Sequence, residues 1–255
     1  MTAVLEIEHL TKEFQRGDVA TVALRDFSLT IEQGTFVTVL GRSGCGKSTM
    51  LNLLSGLSKP TNGRVLHRGS PHTGPTPGIG YLTQSDTLMP WRTVQRNVEM
   101  PMEIAGRPKP ERQAAAAELI ATVGLADFAD SYPRELSGGM RRRASLARML
   151  ANGAETILMD EPFGALDAQL RSELQRELLR LWTATGHTIV FVTHDVEEAL
   201  LLGDRVVVLG PLGAILLDQE IDLPRPRDPD ETKIHPRFVE LHATLVRALK
   251  EGARR

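Results

Sequence analysis

The chain has 255 residues, 41% of them hydrophobic, which is enough for one large domain, or one domain with a subdomain, around its own core. Its 30 lysines and arginines are balanced by 32 aspartates and glutamates, and the net charge of -2 argues against a nucleic-acid binder that depends on a basic surface. A single cysteine excludes an internal disulfide and fits a reducing compartment. No apolar run approaches the roughly 20 residues of a membrane span. Glu6 and Glu8 interrupt the first apolar run, so no signal peptide is expected.

The N-terminal part of the chain is predicted to be rich in β-strands. Residues 4–10 alternate between apolar and polar side chains, as in a half-buried strand, and a polar turn is expected at 15–18. Two short strands are predicted at 21–24 and 27–31. Residues 35–40 form an apolar and β-branched run, which predicts a buried strand.

Beyond residue 40, predicted helices and strands alternate, which indicates an α/β fold. The predicted strands are 64–67, 79–82, 156–161, 188–193, 205–209 and 214–217, and the predicted helices are 50–54, 93–105, 111–123, 141–151, 169–182, 196–202 and 236–250. Because only helices are predicted between 93 and 151, this stretch is a candidate helical subdomain inserted into the α/β chain. The chain turns proline-rich beyond Asp222, so we expect a main domain over 1–228 and a helical tail over 229–255.

A glycine-rich motif follows the 35–40 strand and fits G-x-x-x-x-G-K-[ST], the phosphate-binding loop. Its residues are Gly41, Arg42, Ser43, Gly44, Cys45, Gly46, Lys47, Ser48 and Thr49. Glycines let successive backbone N–H groups turn toward phosphate oxygens, and the start of the next helix adds its positive dipole end. Lys47 would reach the β- and γ-phosphates, and the Ser48 hydroxyl would bind Mg²⁺. The alternative is a glycine turn with a chance Lys-Ser pair, but the flanking strand and helix are the context that the motif needs.

Asp160 and Glu161 end a predicted apolar strand. The Asp160 carboxylate is suited to hold Mg²⁺ opposite the Ser48 hydroxyl. Glu161 is suited to orient and deprotonate a water molecule for in-line attack on the γ-phosphate. The alternative is an acidic strand end that caps a helix.

A second glycine turn, formed by Ser137, Gly138 and Gly139, precedes the predicted 141–151 helix. Serine is a favoured N-cap residue, and the N–H groups of a helix start bind anions without a lysine. From these residues alone, an ordinary N-cap explains the turn equally well.

In this order, the motifs resemble those of the ABC transporter ATPases, over about residues 4–225. The resemblance rests on the phosphate loop, Gln84, the 136–139 turn, residues 157–161, the run Gly164-Ala165-Leu166-Asp167, and His194. It implies an α/β P-loop NTPase with a RecA-like core, an antiparallel β subdomain and an inserted helical subdomain. It also implies an ATPase that forms a head-to-tail dimer with an identical or paralogous subunit. In such a dimer, Ser137, Gly138 and Gly139 of one subunit would close over ATP and Mg²⁺ held by the other.

The resemblance implies roles for four residues outside the phosphate loop. Phe14 matches the aromatic residue that stacks on adenine, and Asp167 matches the carboxylate that contacts the partner's phosphate loop. Gln84 matches the residue that touches Mg²⁺ and senses the γ-phosphate. His194 matches the switch histidine that contacts the γ-phosphate and positions the water. Core packing is the alternative for Phe14, and a plain structural role is the alternative for Gln84 and His194.

A finer resemblance is to the nitrate, sulfonate, taurine and bicarbonate branch of bacterial importers. It rests on residues 88–94, Met140-Arg141, residues 160–168 and residues 224–227. The branch implies a location on the cytoplasmic face of the inner membrane, an integral permease, a periplasmic substrate-binding protein and no nucleic acid. The helical insert would form the groove for the permease, with Met89 and Trp91 as exposed apolar contacts or, alternatively, as ordinary core. The sequence departs from the family at Met140 and Arg142, where glutamine is usual.

Two other functions stay open: a non-transport ABC ATPase, and an assembly module that uses ATP as a structural ligand. The first is disfavoured because neither a long coiled coil nor a basic surface is predicted. The second is disfavoured by Asp160, Glu161 and His194, which supply a complete hydrolytic set.

Overall fold

The computed structural model describes residues 2–17, 19–85, 87–164 and 166–252. Within them, the strands are β1 (Ala3–Arg16), β2 (Val19–Glu32), β3 (Phe36–Gly41), β4 (Asn62–His67), β5 (Ser70–Pro71), β6 (Ile79–Leu82), β7 (Thr156–Asp160), β8 (Thr188–Thr193), β9 (Arg205–Leu209) and β10 (Ile215–Glu220). The α-helices are α1 (Lys47–Leu54), α2 (Val94–Ile104), α3 (Lys109–Thr122), α4 (Gly138–Leu150), α5 (Ala168–Thr185), α6 (Val196–Leu202) and α7 (Pro236–Gly252). None of the helices in these ranges is both long and apolar enough to cross a membrane.

Six strands form a sheet in the order β10-β9-β3-β8-β7-β6, parallel except for β10. The register pairs Leu40 with Thr193, Gly41 with Leu209, and Asp160 with Val192. The carboxyl ends of β3, β7, β8 and β9 therefore meet at one edge, where open parallel sheets bind ligands. The phosphate loop follows β3, Glu161 follows β7, and His194 follows β8.

The parallel strands are buried on both faces, which explains their continuous apolar sequences. Phe36, Met159 and Phe191 point to one face, where they pack against α5 and the helices between β6 and β7. Val39 and Val192 point to the other, where they pack with α1 and the first two strands. Because successive side chains of a strand point to opposite faces of the sheet, each of these strands contributes to the core on both faces.

A second, four-stranded antiparallel sheet has the order β2-β1-β4-β5. The predicted strands at 21–24 and 27–31 both lie within β2, but the break between them is wrong because β2 is continuous. The predicted start of a turn at residue 15 is also wrong, because β1 extends to Arg16. The pairing of β1 with β2 is irregular near Asp26, which adopts a φ of +51°. The Asp26 N–H donates to Thr11 Oγ1 at 3.1 Å, so the irregularity does not interrupt β2.

Helices α2, α3 and α4 follow one another between β6 and β7, two neighbouring parallel strands. Thr93 caps α2 by accepting from Arg96 N, and Ser137 caps α4 by accepting from Met140 N. Helices α1, α3 and α4 each begin two or three residues before the predicted start. These helices begin with Lys47-Ser48, Lys109-Pro110 and Gly138-Gly139, none of which adds an apolar side chain to the periodic pattern from which the starts were predicted.

Helix α7 packs on the six-stranded sheet of its own chain. Phe238, Leu241 and Leu245 are buried against Val206 and Val208 of β9, together with residues of α6. The last predicted helix therefore completes one layer of the core.

Candidate nucleotide-binding site

The phosphate loop, residues 41–49, joins β3 to α1 at the carboxyl edge of the large sheet. Gly44 and Gly46 adopt φ values of +82° and +108°, which side chains other than glycine rarely tolerate. A Cβ on Gly46 would lie 2.7 Å from Leu24 Cδ2, and one on Gly41 would lie 2.7 Å from Cys45 Sγ. The glycines therefore allow both the left-handed turns and the close packing that form an anion-binding concavity of N–H groups.

Lys47 is buried at the centre of this loop. Its Nζ donates to the carbonyl oxygens of Gly41 at 2.8 Å and Arg42 at 3.1 Å, and lies 3.7 Å from Glu161 Oε1. Arg42, Ser43 and Ser48 are exposed, and Thr49 is half-buried. Burial raises the pKa of the Cys45 thiol, which fits a packing role for that side chain.

Asp160, Ser48 and Tyr81 form an oxygen-rich cluster beside the loop. Burial raises the pKa of the Asp160 carboxyl, and a hydrogen bond from the Ser48 hydroxyl opposes this rise. The Tyr81 hydroxyl also donates to Asp160, and burial, with the Asp160 charge, raises the pKa of Tyr81 well above its usual range. A carboxylate beside a hydroxyl is the hard oxygen set that Mg²⁺ prefers, so these residues fit that ion.

Glu161 lies between Lys47 and His194. Its Oε2 is 3.1 Å from His194 Nδ1, and its Oε1 faces the Lys47 ammonium. The backbone of Glu161 adopts a φ of +44°, and its N–H donates to Val192 O at 3.0 Å. A left-handed glutamate costs on the order of 1–3 kcal/mol, and such strain concentrates at functional sites.

A pocket of about 470 Å³ opens above this pair and is lined by Gln84, Gly138, Arg141, Arg142, Glu161, Pro162, Gly164, Leu166 and His194. Four predicted site residues, Gln84, Gly138, Glu161 and His194, thus share one space. Arg142 fixes its walls, because Nη1 donates to the carbonyls of Thr83 at 2.6 Å and Gln84 at 3.2 Å, while Nε donates to Pro162 O at 2.7 Å.

The second glycine turn lies at the start of α4. Ser137 and Gly138 are exposed, and the added Cβ on Gly138 would meet nothing nearer than 3.9 Å. Gly139 is different, because a Cβ there would lie 2.4 Å from Leu170 Cδ2 on α5. Asp167 is exposed at the N-cap of α5, where Oδ1 accepts from Leu170 N at 3.0 Å. The turn and Asp167 are therefore open to a partner and structurally coupled to each other.

Phe14 lies on the antiparallel sheet, near the phosphate loop. Its side chain is 47% exposed, which argues against the alternative of simple core packing, and Lys12 Nζ lies 5.0 Å from the ring centroid. Phe14 pairs with Thr21, two residues before the Ala23-Leu24 stretch that contacts Gly46. The ring is thus available to stack on a base.

Two site residues were missed from the sequence. Tyr81 reads as one of four ordinary residues of a short strand, and its contact with Asp160 comes from the neighbouring position of β6 and β7. Arg142 was noted only as a departure from a family pattern, although one guanidinium joins the Gln84 loop to the turn after Glu161.

Residues 24–164 match the family model for the ABC transporter. An ABC transporter ATP-binding protein of Methanocaldococcus jannaschii, MJ0412, is 47% identical over 252 residues, which cover 98% of this chain and 93% of that protein. The nitrate import ATP-binding protein NrtC and the bicarbonate transport ATP-binding protein CmpC, both of Synechococcus elongatus, are each 42% identical. Both alignments cover 100% of this chain but 39% of the relative.

A solved structure shares the fold. It is the dimeric post-hydrolysis state of the ATP-binding cassette MJ0796 bound to ADP and Pi. Its TM-score with this chain is 0.79 at 33% sequence identity, and the match covers 85% of this chain and 98% of that one. The combination of two sheets, inserted helices and carboxyl-edge loops is thus shared with an ATP-binding cassette.

Proposed function

The chain belongs to the ABC transporter family and is an ATPase of that family, and we propose that it energises a bacterial importer of a small anion or sulfonate-type solute. The main support for the ATPase site is that four residues converge at one edge of the sheet: Lys47, Asp160, Glu161 and His194. The importer assignment is supported by NrtC and CmpC, whose names specify nitrate import and bicarbonate transport.

Each group at the site has a distinct task in ATP hydrolysis. The phosphate-loop N–H groups and Lys47 bind the phosphates, and Phe14 stacks on adenine. Ser48, Asp160 and Gln84 would hold Mg²⁺, which neutralises charge on the phosphates when bound. Glu161 takes the proton of the attacking water. His194 contacts the γ-phosphate and, 3.1 Å from the Glu161 carboxylate, holds that carboxylate in place.

We propose that two subunits sandwich two nucleotides, with Ser137, Gly138 and Asp167 of each facing the phosphate loop of the other. The exposure of all three residues supports this arrangement. Closure on ATP and reopening after hydrolysis would move the permease between two conformations. The partner ATPase is either a second copy or a paralogue, and the complex would lie on the cytoplasmic face of the inner membrane.

The proposed nucleotide-sandwich dimer is tested by measuring the molecular mass in solution of the Glu161→Gln variant, which should hydrolyse ATP slowly. We expect ATP with Mg²⁺ to convert it from monomer to dimer, and ADP to leave it monomeric. Adding Gly138→Asp should abolish dimerisation without harming the fold, because the space around Gly138 is open. If the Glu161→Gln variant with Gly138 intact stays monomeric at saturating ATP and Mg²⁺, this chain does not form the dimer alone.

A cavity of about 320 Å³ between β6, α2 and α4 is the proposed groove for a permease helix. Met89, Met100, Pro101 and Met149 contribute its apolar lining. Met89 is half-buried in this cavity, whereas Trp91 beside it is 71% exposed. An exposed tryptophan next to an apolar groove is a typical anchor for a protein partner.

Replacing Trp91 with serine should weaken capture of the permease while leaving the ATPase activity of the isolated subunit unchanged. The measurement is co-purification of the two proteins from detergent-solubilised membranes. Ile234→Ser is the matched control, because Ile234 is 81% exposed and follows β10 rather than the groove. Equal recovery of the permease with both variants would exclude Trp91 as an anchor.

Replacing Tyr81 with phenylalanine should raise the Mg²⁺ concentration needed for half-maximal ATPase activity. The change removes only the hydroxyl that donates to Asp160. Loss of a hydrogen bond to a metal ligand typically costs about 10- to 100-fold in metal affinity. Titration of the ATPase rate with Mg²⁺ at saturating ATP measures the shift, and an unchanged midpoint would mean that Asp160 keeps its orientation without Tyr81.

A further inference from the structure

His194 is held from both sides by a buried network that leads to α5. Thr193 Oγ1 donates to Glu198 Oε2 at 2.5 Å and accepts from Asp195 N at 3.0 Å. The other Glu198 oxygen, Oε1, accepts from Gln175 Nε2 on α5 at 3.1 Å. Glu198 is only 6% exposed, so this carboxylate fixes the backbone around His194 against α5 rather than against solvent.

Arg171 makes a second connection between the same two regions. Its Nη2 donates to Leu166 O at 3.0 Å, and its Nη1 lies 3.7 Å from Asp195 Oδ2. Leu166 immediately precedes Asp167, and Asp195 immediately follows His194. One guanidinium therefore touches the turn that carries Asp167 and the loop that carries His194.

The two connections meet directly behind the hydrolytic pair. A small cavity of about 30 Å³ is lined by Glu161, Phe163, Gly164, Arg171, Thr193, His194, Asp195 and Glu198. The charged groups that face it are thus Glu161, Arg171, Asp195 and Glu198. A displacement of α5 would reach His194, and through it Glu161, without passing through the phosphate loop.

We propose that Arg171 and Glu198 are positioning residues that couple the Asp167 turn to His194 through α5. This inference rests on the proposed function, in which Asp167 faces the partner and His194 holds Glu161. Engagement of Asp167 in the dimer shifts the start of α5, and the two contacts carry that shift to His194. Hydrolysis at a site is thereby tied to contact with the partner subunit.

Four variants of the full chain, one of them a control and one a rescue, test the coupling by steady-state ATPase kinetics. Arg171→Met and Glu198→Gln should each lower kcat by about 10- to 100-fold, the loss expected when a catalytic group is misplaced by about 1 Å. KM for ATP should not change, because Lys47 and its loop are untouched. Arg180→Met is the matched control on α5, since Arg180 is 77% exposed, and its kcat should equal that of wild type. Arg171→Lys should recover part of the rate by keeping the charge.

The position of His194 supplies a readout that does not depend on activity. In protein with ¹³C-labelled histidine, the Cε1–H signal that His194→Ala removes should move in Arg171→Met and Glu198→Gln and stay in place in Arg180→Met. An unmoved signal, or a raised KM with unchanged kcat, would overturn the coupling. Failure of the proposed function would be seen separately, as wild-type hydrolysis by Glu161→Gln.

Discussion

Replacing Glu161 with glutamine is expected to lower kcat for ATP hydrolysis by about 10²- to 10⁴-fold, the range that a positioned general base contributes. Glutamine keeps the length of the side chain and an oxygen able to approach His194 Nδ1, which lies 3.1 Å from Glu161 Oε2. It cannot take a proton from water at neutral pH. ATP affinity should stay close to that of wild type, because the phosphate loop is unchanged.

Lys47→Ala provides the contrasting variant for this experiment. The Lys47 Nζ is buried within the phosphate loop and donates to two loop carbonyls, so removing this charge should weaken ATP binding itself. Equilibrium binding of a fluorescent ATP analogue, measured beside phosphate release, separates the two effects. Wild-type turnover by the Glu161→Gln variant would eliminate Glu161 as the base.

Replacing Arg227 with methionine is expected to cost at least about 3 kcal/mol of unfolding free energy, because buried acceptors left unpaired cost about 1–3 kcal/mol each. The Arg227 guanidinium donates to the carbonyls of Leu200, Leu201, Gly203, Ile221 and Leu223. Three of these belong to the end of α6 and the residue after it, where a helix leaves its carbonyls unsatisfied. Methionine fills a similar volume but donates to none of them.

Urea unfolding followed by circular dichroism measures the loss in Arg227→Met. Arg180→Met is again the control, since substitution of an exposed arginine should shift stability by less than about 0.5 kcal/mol.

Burial lowers the pKa of Arg227 to about 10, so the side chain stays charged at neutral pH. The stability difference between the two variants should therefore be constant between pH 6 and about 8. Two variants of equal stability would show that water replaces the lost donors.

The sequence was sufficient for the parts of the fold that short-range rules govern. The buried strands at β3, β7 and β8 follow from apolar runs, and the phosphate loop follows from its glycine spacing. The grouping of Glu161 and His194 was predicted only through the family resemblance. The structure brings these two side chains together because β7 and β8 are neighbours in the sheet.

The remaining features depend on contacts between residues distant in the chain. Tyr81 meets Asp160 across two strands, and Arg142 meets the Gln84 loop across 58 residues. Neither contact leaves a periodic or compositional signal. The continuity of β2 was missed for a related reason, because the Asp26 irregularity looks in sequence like the end of a strand.

The position of α7 decides where a reporter can be attached to this protein. Leu249 and Gly252, near the end of α7, line a space of about 470 Å³ together with Arg42, Ser43 and Gly44 of the phosphate loop. A fluorescent protein fused behind α7 would thus emerge beside the nucleotide and compete with it for room. At the start of β1, Ala3 pairs with Glu32, which is eight residues along β2 from the Leu24 contact with Gly46, or roughly 25 Å at the rise of a strand. Tags and surface-immobilisation linkers therefore belong before β1, where they leave the nucleotide entrance clear.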